Sequence, residues 1–68
     1  MTERQAAIWQ TKILAGETSG LVQVTIERGH SVSYLRDLYY LEVYDGHSGR
    51  RYQLYTAQDC RSWCDSKY

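Results

Sequence analysis

The plainest pattern in the chain is the alternation over residues 21–28, LVQVTIER. Val22, Val24 and Ile26 point one way, and Gln23, Thr25 and Glu27 point the other. This is the period of two expected of a strand with one buried face. Residues 38–45, LYYLEVYD, repeat it, with Tyr39, Leu41 and Val43 on one face and Tyr40, Glu42 and Tyr44 on the other. Asp45-Gly-His-Ser-Gly49 follows as a glycine-bearing turn. Residues 50–55, RRYQLY, then return with Tyr52 and Leu54 on one side and Arg51, Gln53 and Tyr55 on the other. The two runs predict an antiparallel hairpin.

Residues 6–15, AAIWQTKILA, read as a strand preceding these, with Trp9, Thr11 and Ile13 on one face and Ile8, Gln10 and Lys12 on the other. A short helix is the alternative, because Ala, Gln and Lys are good helix formers. Gly16 to Gly20, GETSG, has hairpin length, so 6–15 and 21–28 predict a second antiparallel hairpin. Residues 29–37, GHSVSYLRD, read equally as an irregular loop or as a short helical turn capped by Ser31 or Ser33 and carrying Leu35 and Leu38. Thr56 opens TAQD, and Asp59 three residues on makes a variant of the capping box whose carboxylate also complements a helix N-terminus. A helix over residues 57–66 follows, with Ala57, Cys60 and Cys64 on one stripe and Trp63 beside it.

The expected fold is therefore α+β, in one small domain spanning residues 1–68. It has a small antiparallel sheet of about four strands (two hairpins) and one C-terminal helix packed on one face. A helix this short covers that face incompletely. The opposite face carries Tyr40, Tyr44, Tyr55 and Arg51 towards solvent or a partner.

Composition sharpens this picture. The chain has 68 residues, no Phe and few aliphatic side chains, but seven Tyr and two Trp. The aromatic rings must supply part of the core, with their polar tips at its margin. A domain of this length buries only about 60% of the surface its unfolded chain exposes. Its stability margin is a few kcal/mol, and a self-association surface is a reasonable expectation. The formal net charge is zero, which gives no general attraction to nucleic acid or acidic membranes. The start, MTERQAAIWQ, lacks a basic region followed by an apolar run, and no stretch approaches a membrane span, so a cytoplasmic location is expected.

No residue set reads as catalytic. Cys60 and Cys64 stand one helical turn apart and can supply two ligands of a zinc site, but only His30 and His47 are available to complete it. They read instead as small apolar residues facing the sheet. Ser48, His47 and Asp45 can be written as a triad, yet neighbours in one short turn point apart, whereas a triad needs converging side chains. Both histidines read as solvated turn residues. No carboxylate pair has acid/base spacing, and GHSG lacks the length and lysine of a phosphate loop. Neither a cofactor nor a metal site is expected.

What stands above background is the aromatic and basic character of one sheet face. Tyr40 and Tyr44 should lie across from Arg51 and Tyr55, with Arg50 and His47 at the adjoining turn. Such rings are good strand formers that pack on cross-strand neighbours. Tyr and Arg are also the side chains enriched at protein interfaces. The expected function is a non-enzymatic protein-binding module (an adaptor, inhibitor or regulatory subunit) that engages a protein partner or a second copy of itself through Tyr40, Tyr44, Arg50, Arg51 and Tyr55. The alternative is single-stranded nucleic acid, with bases on the rings and phosphates on the arginines. Glu42 nearby weighs against it.

Overall fold

In the computed structural model the backbone is described for residues 1–31 and 36–67, and side chains for the same residues outside 30–37. The elements run α1 (Glu3–Gly16), β1 (Val22–Ser31), β2 (Arg36–Asp45), β3 (Arg50–Leu54) and α2 (Ala57–Lys67). The sheet is an antiparallel meander of order β1-β2-β3.

Residues 6–15 are thus helical, and the sequence-based strand there is corrected. The helix begins at a reciprocal cap. Thr2 Oγ1 accepts from the Gln5 amide at 3.1 Å and Gln5 Oε1 accepts from the Thr2 amide at 3.0 Å, which satisfies two of the free donors of the first turn. At helical spacing Ala6 and Ile13 fall on one face and are buried, with Trp9 packed beside them. A period of two splits the large apolar residues, with Trp9 and Ile13 on one face and Ile8 and Leu14 on the other, so neither face is coherent.

Two corrections follow. Among the described residues the sheet has three strands rather than four, and two helices pack on it rather than one. GETSG is the connection from helix to strand, not a hairpin turn. The partner of β1 is β2, in register from Val22↔Asp45 to Ser31↔Arg36. His30 consequently lies within a strand, opposite Asp37, instead of in a turn. Ser31 is the last residue of β1 and caps no helix, and Leu38 belongs to β2. Ser33 and Leu35 lie outside the described residues.

The second hairpin is as expected. β2 and β3 pair from Leu41↔Leu54 to Asp45↔Arg50. The Asp45 carbonyl accepts from the amides of Ser48 (3.3 Å) and Gly49 (2.7 Å), and Gly49 adopts φ 74° to return the chain. The cap of α2 also forms. Thr56 Oγ1 accepts from the Asp59 amide at 3.0 Å, and Asp59 Oδ2 accepts from the Thr56 and Tyr55 amides at 3.2 and 3.0 Å.

Both helices lie on the same side of the sheet. The core between them joins Ala6 and Ile13 of α1, Val22 and Val24 of β1, Leu41 and Val43 of β2, Leu54 of β3, and Cys60 and Trp63 of α2. Tyr39 and Tyr52 pack on its margin, where their hydroxyls can reach water. Tyr52 meets Trp63 edge to face, with ring centroids 6.3 Å apart. The helix α1 supplies the cover that α2 is too short to give, and the other sheet face is bare.

One buried charge fastens the two ends of the C-terminal half. Asp45 is 0% exposed, its Oδ2 accepts from the Lys67 ammonium at the end of α2, and its Oδ1 accepts from the His47 amide at 3.0 Å. The Lys67 hydrogen bond above all holds the Asp45 carboxyl below its ordinary value of 3.8, and Asp45 in turn raises Lys67 above 10.5. A depressed carboxylate contributes stability that is present above pH 3.8 and lost as pH falls through its folded value; a raised ammonium contributes stability lost only as pH climbs past 10.5. We expect Lys67→Met to lower the urea midpoint by a constant amount between these limits. The gap between variant and wild type should close on acidification below pH 3.8. A gap that stays the same from pH 6 to pH 2 would show that the pair adds nothing.

Candidate interaction face

Strand alternation and register place Gln23, Thr25 and Glu27 of β1, Tyr40, Glu42 and Tyr44 of β2, and Arg51 and Gln53 of β3 on the face away from the helices. Tyr55 follows β3 and joins them. Its ring stacks on that of Tyr40, centroids 4.8 Å apart and planes 28° from parallel, and its hydroxyl donates to Gln53 Oε1 at 2.8 Å. Tyr40 also covers Gly29, where a Cβ would stand 3.4 Å from the tyrosine ring.

Arg51 bridges the rest. Its guanidinium carbon is 5.5 Å from the centroid of the Tyr44 ring, and its Nη1 donates to Glu42 Oε1 at 3.3 Å. The Arg51 side chain is 72% exposed, so this pair adds little to folding and leaves donors for another molecule. Gln23, Thr25, Glu27, Glu42, Tyr44 and Arg51 line an open groove of about 310 Å³. Two carboxylates and one guanidinium line it. Burial among its neighbours, and then the charges of Tyr55, Glu27 and Glu42, push the Tyr40 phenol above its ordinary value, so the ring carries a neutral hydroxyl donor across the physiological range.

Of the five residues expected at this face, four come together. Tyr40 and Tyr55 form one stack, and Tyr44 and Arg51 form a second pair beside it. Arg50 does not join them. It pairs with Asp45, whose side chain lies on the helix side, and alternation sends the Arg50 side chain the same way. Glu27 and Gln23 are members of the face that sequence reasoning did not single out. Their signal was the alternation in 21–28, but their position beside Tyr44 and Tyr40 depends on pairing β1 with β2.

His47 projects from the β2–β3 turn towards the α1–β1 connection, its Nε2 3.0 Å from Ser19 Oγ and 3.8 Å from Glu17 Oε1. Ser19 Oγ donates to Glu17 and accepts from the Leu21 amide at 3.1 Å. These bonds to Ser19 pull the Glu17 carboxyl below its ordinary value. A serine so saturated is a clasp between two loops, and both serine and glutamate meet the same imidazole nitrogen, which is not the relay of a triad. The written set of Ser48, His47 and Asp45 is not assembled: Asp45 takes the His47 amide, and Ser48 Oγ accepts from the Arg50 amide at 3.3 Å. Cys60 is fully buried, and burial pushes its thiol up to about 11; Cys64, partly buried, is raised for the same reason. Both are protonated, poorly nucleophilic thiols at neutral pH. Among the described residues no three His, Cys, Asp or Glu side chains converge on a common point. No helix among them is long and apolar enough to cross a membrane.

No protein-family model matches the chain, and no curated protein or solved structure is significantly similar to it.

Proposed function

We propose that the chain is a non-enzymatic protein-binding module that works through the bare face of its sheet. The observation that carries this reading is the pairing of Tyr40 with Tyr55 and of Arg51 with Tyr44 on a sheet face that neither helix covers. Rings held by cross-strand neighbours lose little conformational entropy when they bind. A preformed aromatic surface beside an exposed guanidinium is the composition of interface anchors, and a few such anchors dominate affinity. Tyr44 and Arg51 line one end of the groove, and the Tyr40–Tyr55 stack lies on the same face beyond Glu42. The partner is a protein surface or a second copy of the chain. Glu27 and Glu42 on the same face repel phosphate, which leaves single-stranded nucleic acid the weaker reading.

Joint replacement of Tyr44 and Arg51 by Ala is the test. The far-UV circular dichroism and the melting midpoint should stay close to wild type, because neither side chain is in the core. Association, with the partner captured by the wild-type domain or with itself, should weaken by roughly 30-fold, the loss of about 2 kcal/mol typical of one strong anchor. Unfolding of the double variant, or undiminished capture, would remove the face from consideration.

A further inference from the structure

The outer edge of β1 is the part of the sheet most in need of protection. β1 is an outer strand, with β2 on one side only. The Gly46 amide donates to the Leu21 carbonyl at 2.8 Å, so these two residues form a hydrogen-bonded pair. By the antiparallel alternation, Gln23↔Tyr44 and Thr25↔Glu42 are the next such pairs. Val22, Val24 and Ile26 therefore turn their N–H and C=O groups away from β2, in a row along the edge. Residues 21–26, LVQVTI, are uncharged and rich in β-branched side chains, the composition that pairs with its own kind when an edge is open. β1 has no proline and no lysine, and its register with β2 runs from Val22 to Ser31 without a bulge, so the common defences of an edge strand are missing.

A side chain of α1 stands at this edge instead. Gln10 Nε2 donates to the Val24 carbonyl at 2.8 Å, at the middle of the outward row. In α1, Ala6, Gln10 and Ile13 follow one another at i, i+4 and i+7, on the stripe that faces the sheet. Ala6 and Ile13 are buried, whereas Gln10 between them is polar and half-buried. A core stripe has no use for a carboxamide except where it meets a backbone group. We infer that Gln10 is an edge guard: by holding the Val24 carbonyl and filling the space beside it, it keeps β1 from pairing with β1 of a second copy. The inference is separate from the reading of the bare face, since it concerns the rim of the sheet. An incoming strand must place a backbone N–H where the Gln10 carboxamide lies. Without the guard, two β1 strands meet antiparallel about a two-fold axis, with Val24 opposite Val24 and Val22 opposite Ile26. On the open side this register sets Gln23 opposite Thr25, so no charges oppose one another over residues 22–26. A register centred on Glu27 would oppose two glutamates. The uncharged half is thus where the edge is vulnerable, and the guard stands there.

Sedimentation velocity of the whole chain over about 1 µM to 1 mM tests this, with circular dichroism to establish folding. Gln10→Ala keeps a good helix former and removes the guard, and it should self-associate at least about tenfold more tightly than wild type. Gln10→Ser serves if the Ala variant does not fold. Gln10→Lys, which guards with a donor and a charge, should stay at the wild-type level. Ile13→Val controls for lost stability alone, since it weakens the core and leaves the edge guarded; it should associate no more than wild type. Gln10→Ala combined with Gln23→Lys and Thr25→Lys should return to the wild-type level, because the register sets the added cations against one another. Gln10→Ala no more associated than wild type, or matched by Ile13→Val or by Gln10→Lys, overturns the inference. Adding Tyr44→Ala and Arg51→Ala to Gln10→Ala should leave the gain intact. If the gain disappears, association runs through the bare face, so this inference falls and that reading stands. If the gain persists while the same pair of replacements leaves partner capture undiminished, the guard stands and the bare face falls.

Discussion

Alanine at Trp63 is expected to leave most of the chain unfolded in water at 25 °C. Trp63 lies under the helix-covered side of the sheet, 6% exposed, with Tyr52 against its edge and the Lys67 ammonium 5.8 Å from its centroid. Truncating a buried tryptophan costs about 3–5 kcal/mol, because the lost transfer energy is joined by the cavity left behind. A chain of this length holds about 3–5 kcal/mol in total. That total is the most a core of this size commonly supplies, so the loss meets or exceeds it and no margin is left. Leu41→Ala, in the middle strand and fully buried, should act in the same direction at about 2–5 kcal/mol. The measurement is a urea titration followed by far-UV circular dichroism, in which both variants should lack a native baseline. A Trp63→Ala chain with a flat baseline and a cooperative transition near the wild-type midpoint would mean that the core is elsewhere. Set beside the expected tolerance of Tyr44→Ala with Arg51→Ala, the experiment distinguishes the two faces of one sheet: the aromatic on the helix-covered side is needed for folding, and those on the open side are not.

That distinction was legible in the sequence because it depends only on alternation. Once residues 38–45 and 50–55 are extended and joined by a short turn, Tyr40, Tyr44, Arg51 and Tyr55 must share a side, whichever helices are present. The α2 cap was legible for a similar reason, since Thr56 and Asp59 make their bonds within three residues. The first helix was not, and the cause is local. Over 6–15 the aliphatic residues fit both periods in part, and the deciding feature lies before that window, in the reciprocal bonds of Thr2 and Gln5. Reading 6–15 as a strand then gave residues 21–28 the wrong neighbour. Their true partner, residues 36–45, is separated from them by a stretch whose Gly29 and Ser31 resemble loop composition. In the fold Gly29 is a strand residue lying under the Tyr40 ring.

Long-range side-chain fastenings were the least legible. Asp45 suggested a turn, which it does initiate, but nothing near it announced Lys67, twenty-two residues on. His47 looked solvated because its partners, Ser19 and Glu17, belong to a segment that had been assigned to another hairpin. Glu27 entered the bare face by the same rearrangement, joining the Glu42 that alternation had already placed there. Its arrival changes the balance of charge: two carboxylates now share the face with the Arg51 guanidinium. That balance disfavours phosphate.

Gly46 is where the corrected topology makes its sharpest demand. The residue follows Asp45 at the end of β2, and its amide donates to the Leu21 carbonyl at 2.8 Å, one step beyond the last register pair of β1 and β2. A Cβ placed on Gly46 would stand 2.4 Å from that same Leu21 oxygen and 3.1 Å from the Leu21 Cβ. Backbone cannot swing aside as a long side chain can. Relief requires Leu21 to withdraw, which breaks the hydrogen bond and pulls on a connection pinned by Ser19 to His47. Gly46→Ala should therefore cost about 1–3 kcal/mol, the range for overfilling a close contact. Gly49 presents the opposite case, with φ 74° and nothing within 4 Å of an added Cβ. There the penalty is conformational, about 1–2 kcal/mol for Ala and smaller for Asn, which enters the left-handed region more readily. Asn thus separates the two causes. Thermal melts should place Gly49→Asn close to wild type and Gly46→Asn at least as low as Gly46→Ala. If Asn were tolerated equally at both sites, the close approach of Leu21 to Gly46 would be wrong, and with it the docking of the α1–β1 connection against the β2–β3 turn.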